Sequence, residues 1–118
     1  MISVIKKRIE EHESEVILKD DSNELLCLCY DNVDNLEEFC IHTFLAKNIF
    51  KNDKQNEKAV KLSDYFSYKL FCKVTNSEKG LVNLGEFEIF LDSPLPSDIS
   101  NDDYIEFEVV RLDIFWLW

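Results

Sequence analysis

The chain has little of what builds loop-rich or phosphate-binding proteins, because its 118 residues include only two glycines and two prolines. So few glycines argue against a glycine-rich phosphate loop and against a small loop-rich scaffold. No apolar run approaches the roughly 18 residues that a membrane-spanning helix needs. Hydrophobic residues nevertheless make up 46% of the chain, which excludes a disordered acidic tail. We therefore expect one globular domain over residues 1–118.

A secretion signal is also missing, since Lys6, Lys7 and Arg8 interrupt the apolar stretch that a signal peptide requires. Four cysteines would permit two disulfides, but Cys27 and Cys29 lie in an apolar run, where a free thiol behaves as a small buried hydrophobic group. These observations predict reduced cysteines in a cytoplasmic protein.

Basic residues are scarce in the last third of the chain. Gly80–Trp118 contains nine carboxylates and only Arg111 as a base, so this stretch carries −8 of the total net charge of −11. Like charge repels nucleic acid and anionic membranes, so neither is expected as a partner. The same charge favours a basic protein partner.

Alternating apolar residues predict strands over much of the chain. Residues 31–50 are ambiguous: a helix over 35–47 would bury one stripe of side chains, whereas a strand, which we slightly favour, would place Phe39, Ile41, Thr43 and Leu45 on one face. Residues 51–61 suggest a solvated loop or a short helix. Strands are expected at residues 2–9 and 15–19, where the alternation is loose, at 25–30, which is buried on both faces, and at 68–75, where the pattern is clear.

The alternation changes phase twice in the C-terminal third, once at Gly85 and once at Val109–Val110. A β-bulge at each position would absorb the extra residue. The second switch predicts that Val110, Leu112 and Ile114 point inward. Bent strands of this kind suit a coiled sheet. We therefore predict a mainly β, single-domain fold: a strongly twisted antiparallel sheet or OB-like barrel with bulged strands and at most one or two short helices.

Catalytic and metal sites find little support. Glu86/Glu88 and Glu106/Glu108 place pairs of carboxylates on one strand face, but this pattern is also the ordinary solvent side of an amphipathic strand. The Cys27-x-Cys29 pair lacks the spacing of a zinc site, and the acidic turn near Asp102 lacks the calcium-loop order. We expect no enzyme activity, no metal and no cofactor.

The chain ends in five large apolar residues, Ile114 to Trp118. Core closure by the last strand is the favoured interpretation. The alternative is that Trp116 and Trp118 anchor a partner or a second copy, because tryptophan is enriched at interface hot spots.

In its size, acidity and acidic segment Gly85–Asp113, the chain resembles the small acidic immunity proteins that bacteria pair with secreted toxins, including those of contact-dependent growth inhibition systems. The resemblance implies an inhibitor that neutralises a basic toxin or nuclease by blocking its active site or binding beside it. The alternatives are a small assembly domain that forms a homodimer and, third, an OB-like single-strand nucleic-acid binder. From charge and aromatic content, the expected partner-binding residues are Glu86, Glu88, Asp98, Asp102, Asp103, Glu106, Glu108, Trp116 and Trp118.

Overall fold

The computed structural model describes residues 2–8, 14–29, 39–63 and 65–116, which contain eleven strands and no helix. The mainly β prediction is therefore confirmed. The strands are β1 (Ser3–Arg8), β2 (Ser14–Lys19), β3 (Glu24–Cys29), β4 (Phe39–Phe44), β5 (Lys47–Lys51), β6 (Lys58–Lys61), β7 (Tyr68–Asn76), β8 (Leu81–Leu84), β9 (Phe87–Phe90), β10 (Tyr104–Val109) and β11 (Arg111–Trp116).

All strands belong to one twisted sheet, whose order is β1-β2-β3-β11-β4-β9-β8-β7-β10-β5, with β6 pairing with β7 beside this path. Most neighbours are antiparallel, but β3 with β11 and β4 with β9 are parallel, so the sheet is mixed. Within the described residues β1 and β5 lie at opposite ends and do not pair. The sheet is thus open, and the closed OB-like alternative is not what forms.

The core follows the predicted alternation. On β7 the side chains of Leu70, Cys72 and Val74 are fully buried, and the residues between them are partly exposed. On β3 every residue from Leu25 to Cys29 is buried, as expected for a strand covered on both faces. Buried side chains from eight strands form a single apolar cluster. The sheet therefore coils around its inner face, since only that arrangement lets distant strands share one core.

Neither phase switch is a bulge within a strand. Gly85 and Glu86 form a two-residue turn that joins β8 to β9, with Leu84 paired to Phe87. Val110 is a bend after which β11 leaves β10 and pairs with β3 and β4 instead. A tight turn or a change of partners shifts the inward phase as a bulge does, so the sequence pattern did not distinguish them. Val110 is 40% exposed, so its predicted inward position was wrong.

Two other segments also differ from expectation. Positions 39–47 of the alternative helix form β4 and the start of β5, and positions 35–38 lie outside the described residues. The expected loop or helix at 51–61 includes strand β6.

The tight β4–β5 connection, in which Leu45 has a φ of +56°, is fixed by a carboxylate. Asp92 accepts hydrogen bonds from the Thr43 hydroxyl at 2.6 Å and from the Leu45 and Ala46 backbone N–H groups at 2.7 and 3.0 Å.

All four cysteines are free thiols, and Cys27, Cys29 and Cys72 are buried as predicted. Burial raises the pKa of Cys27 and of Cys72, so these thiols stay protonated. Among the residues with a described position, no helix is long and apolar enough to cross a membrane.

Candidate protein-binding surface

Three loops bring four carboxylates together at one end of the sheet. The β2–β3 turn supplies Asp20 and Asp21, the segment before β6 supplies Glu57, and the β8–β9 turn supplies Glu86. We call these four residues the acidic corner. They line a shallow cleft of about 310 Å³ together with Ser22, Asn23 and Gly85. No lysine or arginine of the described ranges lines it. Only Glu86 of this group was singled out from the sequence.

Asp20 holds the corner together from a buried position. One of its carboxylate oxygens accepts the backbone N–H groups of Ser22 at 2.8 Å and Asn23 at 2.6 Å, which closes the β2–β3 turn. The other accepts the N–H of Glu86 at 3.0 Å and so joins the β8–β9 turn. Burial alone would raise the pKa of Asp20, but these three donors outweigh it and hold the pKa below its usual value. Asp20 is thus a negatively charged structural group.

Gly85 permits this close approach. Its φ is +61°, a conformation that side-chain-bearing residues rarely adopt, and a Cβ at this position would collide with the Asp20 carboxylate. Its N–H also donates to the Glu57 carboxylate at 3.2 Å. Because Gly85 has no side chain, the carboxylates of Asp20 and Glu57 can both approach the β8–β9 turn.

Asn23 ties the third loop to the other two. Its amide nitrogen donates to the Glu57 backbone carbonyl at 3.5 Å, and its amide oxygen accepts the Ala59 N–H at 3.2 Å. Because Asn23 is itself buried, these bonds set the start of β6 against the β2–β3 turn. Hydrogen bonds from the Asp20 and Asn23 side chains to backbone groups thus fix the turns from which the exposed carboxylates of Asp21 and Glu86 project.

A second cavity of about 360 Å³ adjoins the corner and shares Ser22 and Asn23 with it. Its lining is mixed: Ile17, Leu26, Ala59 and Tyr68 contribute to it together with the charged residues Glu24 and Lys61. The Tyr68 hydroxyl accepts the Leu26 N–H at 2.9 Å, which links β3 to β7 across the core. The surface around the corner therefore combines exposed negative charge with a recess of mixed polarity.

The other predicted carboxylates have partners on the sheet surface. Lysines on the neighbouring strands contact three of them: Lys69 with Glu106 at 3.3 Å, Lys51 with Asp103 at 3.4 Å and Lys73 with Asp102 at 3.9 Å. Glu108 accepts the Asn48 side-chain amide at 2.6 Å. The N–H of Ser100 is the main cause that lowers the pKa of Asp103, and Lys51 adds to it. These carboxylates therefore do not form a uniform negative face.

We call the outer side of β6 and β7 beside these carboxylates the lysine face, defined by Lys58, Lys69, Lys73 and Phe71. The ammonium groups of Lys58 and Lys69 lie 5.2 and 5.6 Å from the centre of the Phe71 ring. Lys73 lies 5.9 Å from the Tyr104 ring. Cation–π contacts and ion pairs thus interleave on one surface. Glu88 lies on the same outer side, separated from Glu106 by β8 and β7.

The remaining predicted residues are dispersed. Glu88 and Asp98 are exposed, Asp98 in the connection between β9 and β10. Trp116 pairs with Phe39 at the end of β11 through its backbone, and Trp118 lies outside the described residues. The two tryptophan anchors therefore stay predictions.

One group was missed by the sequence interpretation. On the outer face of β4, the Cys40 Sγ lies 3.4 Å from the His42 Nε2, and the thiol lies 3.6 Å from the carbonyl oxygen of Phe115. The His42 ring stacks on Phe90 with centroids 5.2 Å apart and meets the Phe115 ring edge-on at 5.1 Å. A spacing of two on a strand would have shown that Cys40 and His42 share a face.

The surroundings of this pair keep both groups uncharged. Burial lowers the pKa of His42, and the nearby Asp113 carboxylate offsets only part of that effect. Burial likewise raises the pKa of the Cys40 thiol. Asp113 accepts a hydrogen bond from the Arg111 Nε at 2.9 Å. In the part of the chain with described positions, no three His, Cys, Asp or Glu side chains converge as a metal site.

Comparisons with known proteins add no relative: no protein-family model, curated protein or solved structure matches the chain.

Proposed function

We propose that the chain is a protein-binding inhibitor of the immunity-protein class, which neutralises a basic partner such as a secreted toxin or nuclease. The observation that carries this proposal is the acidic corner, where Asp21, Glu57 and Glu86 surround one cleft free of lining lysine and arginine within the described ranges. Lysine and arginine side chains of a partner would form charge-assisted hydrogen bonds with these carboxylates.

The neighbouring recess, whose lining is partly apolar and partly charged, adds a place for a side chain of the partner. Interfaces draw most of their affinity from a few anchors in desolvated pockets, whereas charges at the rim mainly accelerate and orient the encounter. The net charge of −11 would attract a basic protein from a distance, and the corner would fix its orientation. Tight binding would therefore need both the corner and the recess.

The test compares two variants that each remove two negative charges. The corner variant carries Asp21→Asn and Glu86→Gln, and the control carries Asp53→Asn and Glu78→Gln at exposed positions elsewhere. Immobilised wild-type chain is used to capture proteins from the source cells, and any basic protein recovered is produced and its affinity measured by calorimetry at several salt concentrations.

We expect the corner variant to bind the recovered protein at least about tenfold more weakly than the control, because only it loses positioned partners. Affinity should fall as salt rises. Equal losses in both variants would mean that net charge alone drives binding, and binding insensitive to salt would contradict the electrostatic basis of the proposal.

A further inference from the structure

The Cys40–His42 pair has the spacing of two ligands on one metal ion. For Zn–S and Zn–N bonds of about 2.3 and 2.05 Å at a tetrahedral angle, the sulfur and nitrogen would lie about 3.6 Å apart. The Sγ and Nε2 atoms are already 3.4 Å apart on adjacent outward positions of β4. Small side-chain adjustments would therefore suffice to chelate the ion.

Two neighbouring aromatic rings fix the orientation of the His42 imidazole. Phe90 stacks on one side of the imidazole and Phe115 contacts it edge-on, so the ring has a defined orientation. Of the four cysteines, only Cys40 is partly exposed.

The described residues of one copy supply only half of a structural zinc site. Such sites are closed by four protein ligands, and among the described residues no third His, Cys, Asp or Glu side chain joins this pair as a metal ligand. A two-fold symmetric contact places the same patch of one copy against itself in the other. Two copies meeting at β4 would therefore supply two cysteines and two histidines.

The surface around the pair suits contact with a second copy. Exposed apolar side chains lie beside it: Phe115 on β11 is 40% exposed and Phe44 at the end of β4 is 37% exposed, with the Arg111 guanidinium 4.0 Å from the Phe44 ring. Leu45 and Val110, in the connections next to these strands, are 54% and 40% exposed. The N–H of Val110 donates to the Phe44 carbonyl, which joins this apolar strip into one surface. Buried against a copy of itself, it would contribute the hydrophobic part of an interface.

We infer that two copies of this chain bind one zinc ion between them through Cys40 and His42 of each copy. When each Sγ–Zn bond forms, the thiol proton passes to solvent, while each imidazole donates an existing lone pair; no oxidant or reductant takes part. This site lies on different residues from the acidic corner, so each can fail without the other.

The test uses the untagged full-length chain, kept reduced with a phosphine, and adds Zn²⁺ or Co²⁺ as the probe. Sedimentation velocity is expected to show a monomer that becomes a dimer with one metal ion per two chains and reverts with EDTA. Co²⁺ should show the absorption of a tetrahedral thiolate complex. Both Cys40→Ser and His42→Gln should abolish the metal-dependent dimer.

Two variants serve as matched controls: His12→Gln, which removes the other histidine, and Tyr65→Ala, which removes an exposed aromatic outside β4 and β11. Both should dimerise with metal like the wild type. If Cys40→Ser or His42→Gln does not fold by circular dichroism, the Co²⁺ spectrum and EDTA reversal of the wild type decide. One ion per monomer, no metal uptake, or a metal-dependent dimer in folded Cys40→Ser would overturn the inference.

Discussion

The acidic corner and the lysine face place their charges in opposite ways. Buried Asp20 and backbone N–H groups position the corner carboxylates, and no lysine or arginine among the described residues lines the cleft. On the lysine face, Lys69 and Lys73 contact Glu106 and Asp102 on the neighbouring surface. The difference teaches that net charge is a poor guide to a binding surface. What matters is where the fold places each charge relative to the others.

Charge is also unevenly distributed along the chain. Residues 47–73 contain seven lysines and three acids, a net charge of +4 within a chain of −11. This segment supplies β5, β6 and most of β7, which pack beside or near the acidic β10. The most acidic third of the sequence is therefore partly neutralised in the fold, while the corner collects carboxylates that lie far apart in sequence.

The largest expected effect is a loss of folding stability on replacing glycine in the β8–β9 turn, compared with the same replacement in the β7–β8 turn. Gly85→Ala should destabilise the fold by about 3 kcal/mol or more, because the new methyl group meets the Asp20 carboxylate as well as an unfavourable φ. Gly80→Ala is the matched control: its φ is +65° but its nearest contact would be an ordinary 3.5 Å, so about 1–2 kcal/mol is expected. Urea denaturation measures the free energy of unfolding of both variants. Equal losses would show that the acidic corner accommodates the extra methyl group.

The next effect compares one carboxylate from each surface. Asp20→Ala should cost about 1–3 kcal/mol, because three backbone N–H groups in and around the corner lose their acceptor. Glu106→Gln should cost less than about 1 kcal/mol, since its ion pair with Lys69 is partly exposed. Thermal denaturation distinguishes them. A Glu106→Gln loss as large as that of Asp20→Ala would remove the contrast between the surfaces.

A smaller effect should appear on acidification. The folded-state pKa of Asp20 is lowered below the roughly 3.9 of an unfolded aspartate, so its ionised form stabilises the fold above that pH. This contribution is lost as pH falls through the folded-state pKa. The stability difference between wild type and Asp20→Asn should therefore stay constant from about pH 5 to 8 and shrink below about pH 4. A difference that grows on acidification would contradict the sign.

The smallest effect is expected on the lysine face. Lys58→Gln removes one cation from the Phe71 ring, an exposed contact worth about 0.5–1 kcal/mol at most. Its stability loss should therefore be close to experimental error, and it should not alter binding at the acidic corner. Weakened partner binding in Lys58→Gln would show that the two surfaces act together.

Much of the fold followed from periodicity alone. The strand at residues 68–75 and the doubly buried β3 were correctly predicted, because alternation and apolar runs are local features of the sequence. The turn at Gly85 and the change of partners at Val110 were taken for bulges. A bulge, a two-residue turn and a change of strand partners each shift the inward-facing positions by one residue. Only the hydrogen-bonded partners of the strands distinguish them.

The candidate site was less predictable. Glu86 was selected, but Asp21 and Glu57 were not, because nothing local connects a turn near residue 20 with one near residue 85. The 66-residue separation between Asp20 and Glu86 is bridged by a single hydrogen bond. The contact between Cys40 and His42 could have been predicted, since a spacing of two on a predicted strand already places them side by side.

The sequence by itself determined that this is an acidic, mainly β chain, and which faces of β3 and β7 are buried. It did so because side-chain alternation and composition are local properties. Only the tertiary structure decided which charges meet. Strand order placed lysines beside β10, and three turns gathered the carboxylates of the corner. Electrostatic interaction depends on distance in space, and the strand order that sets those distances is not written in any single segment.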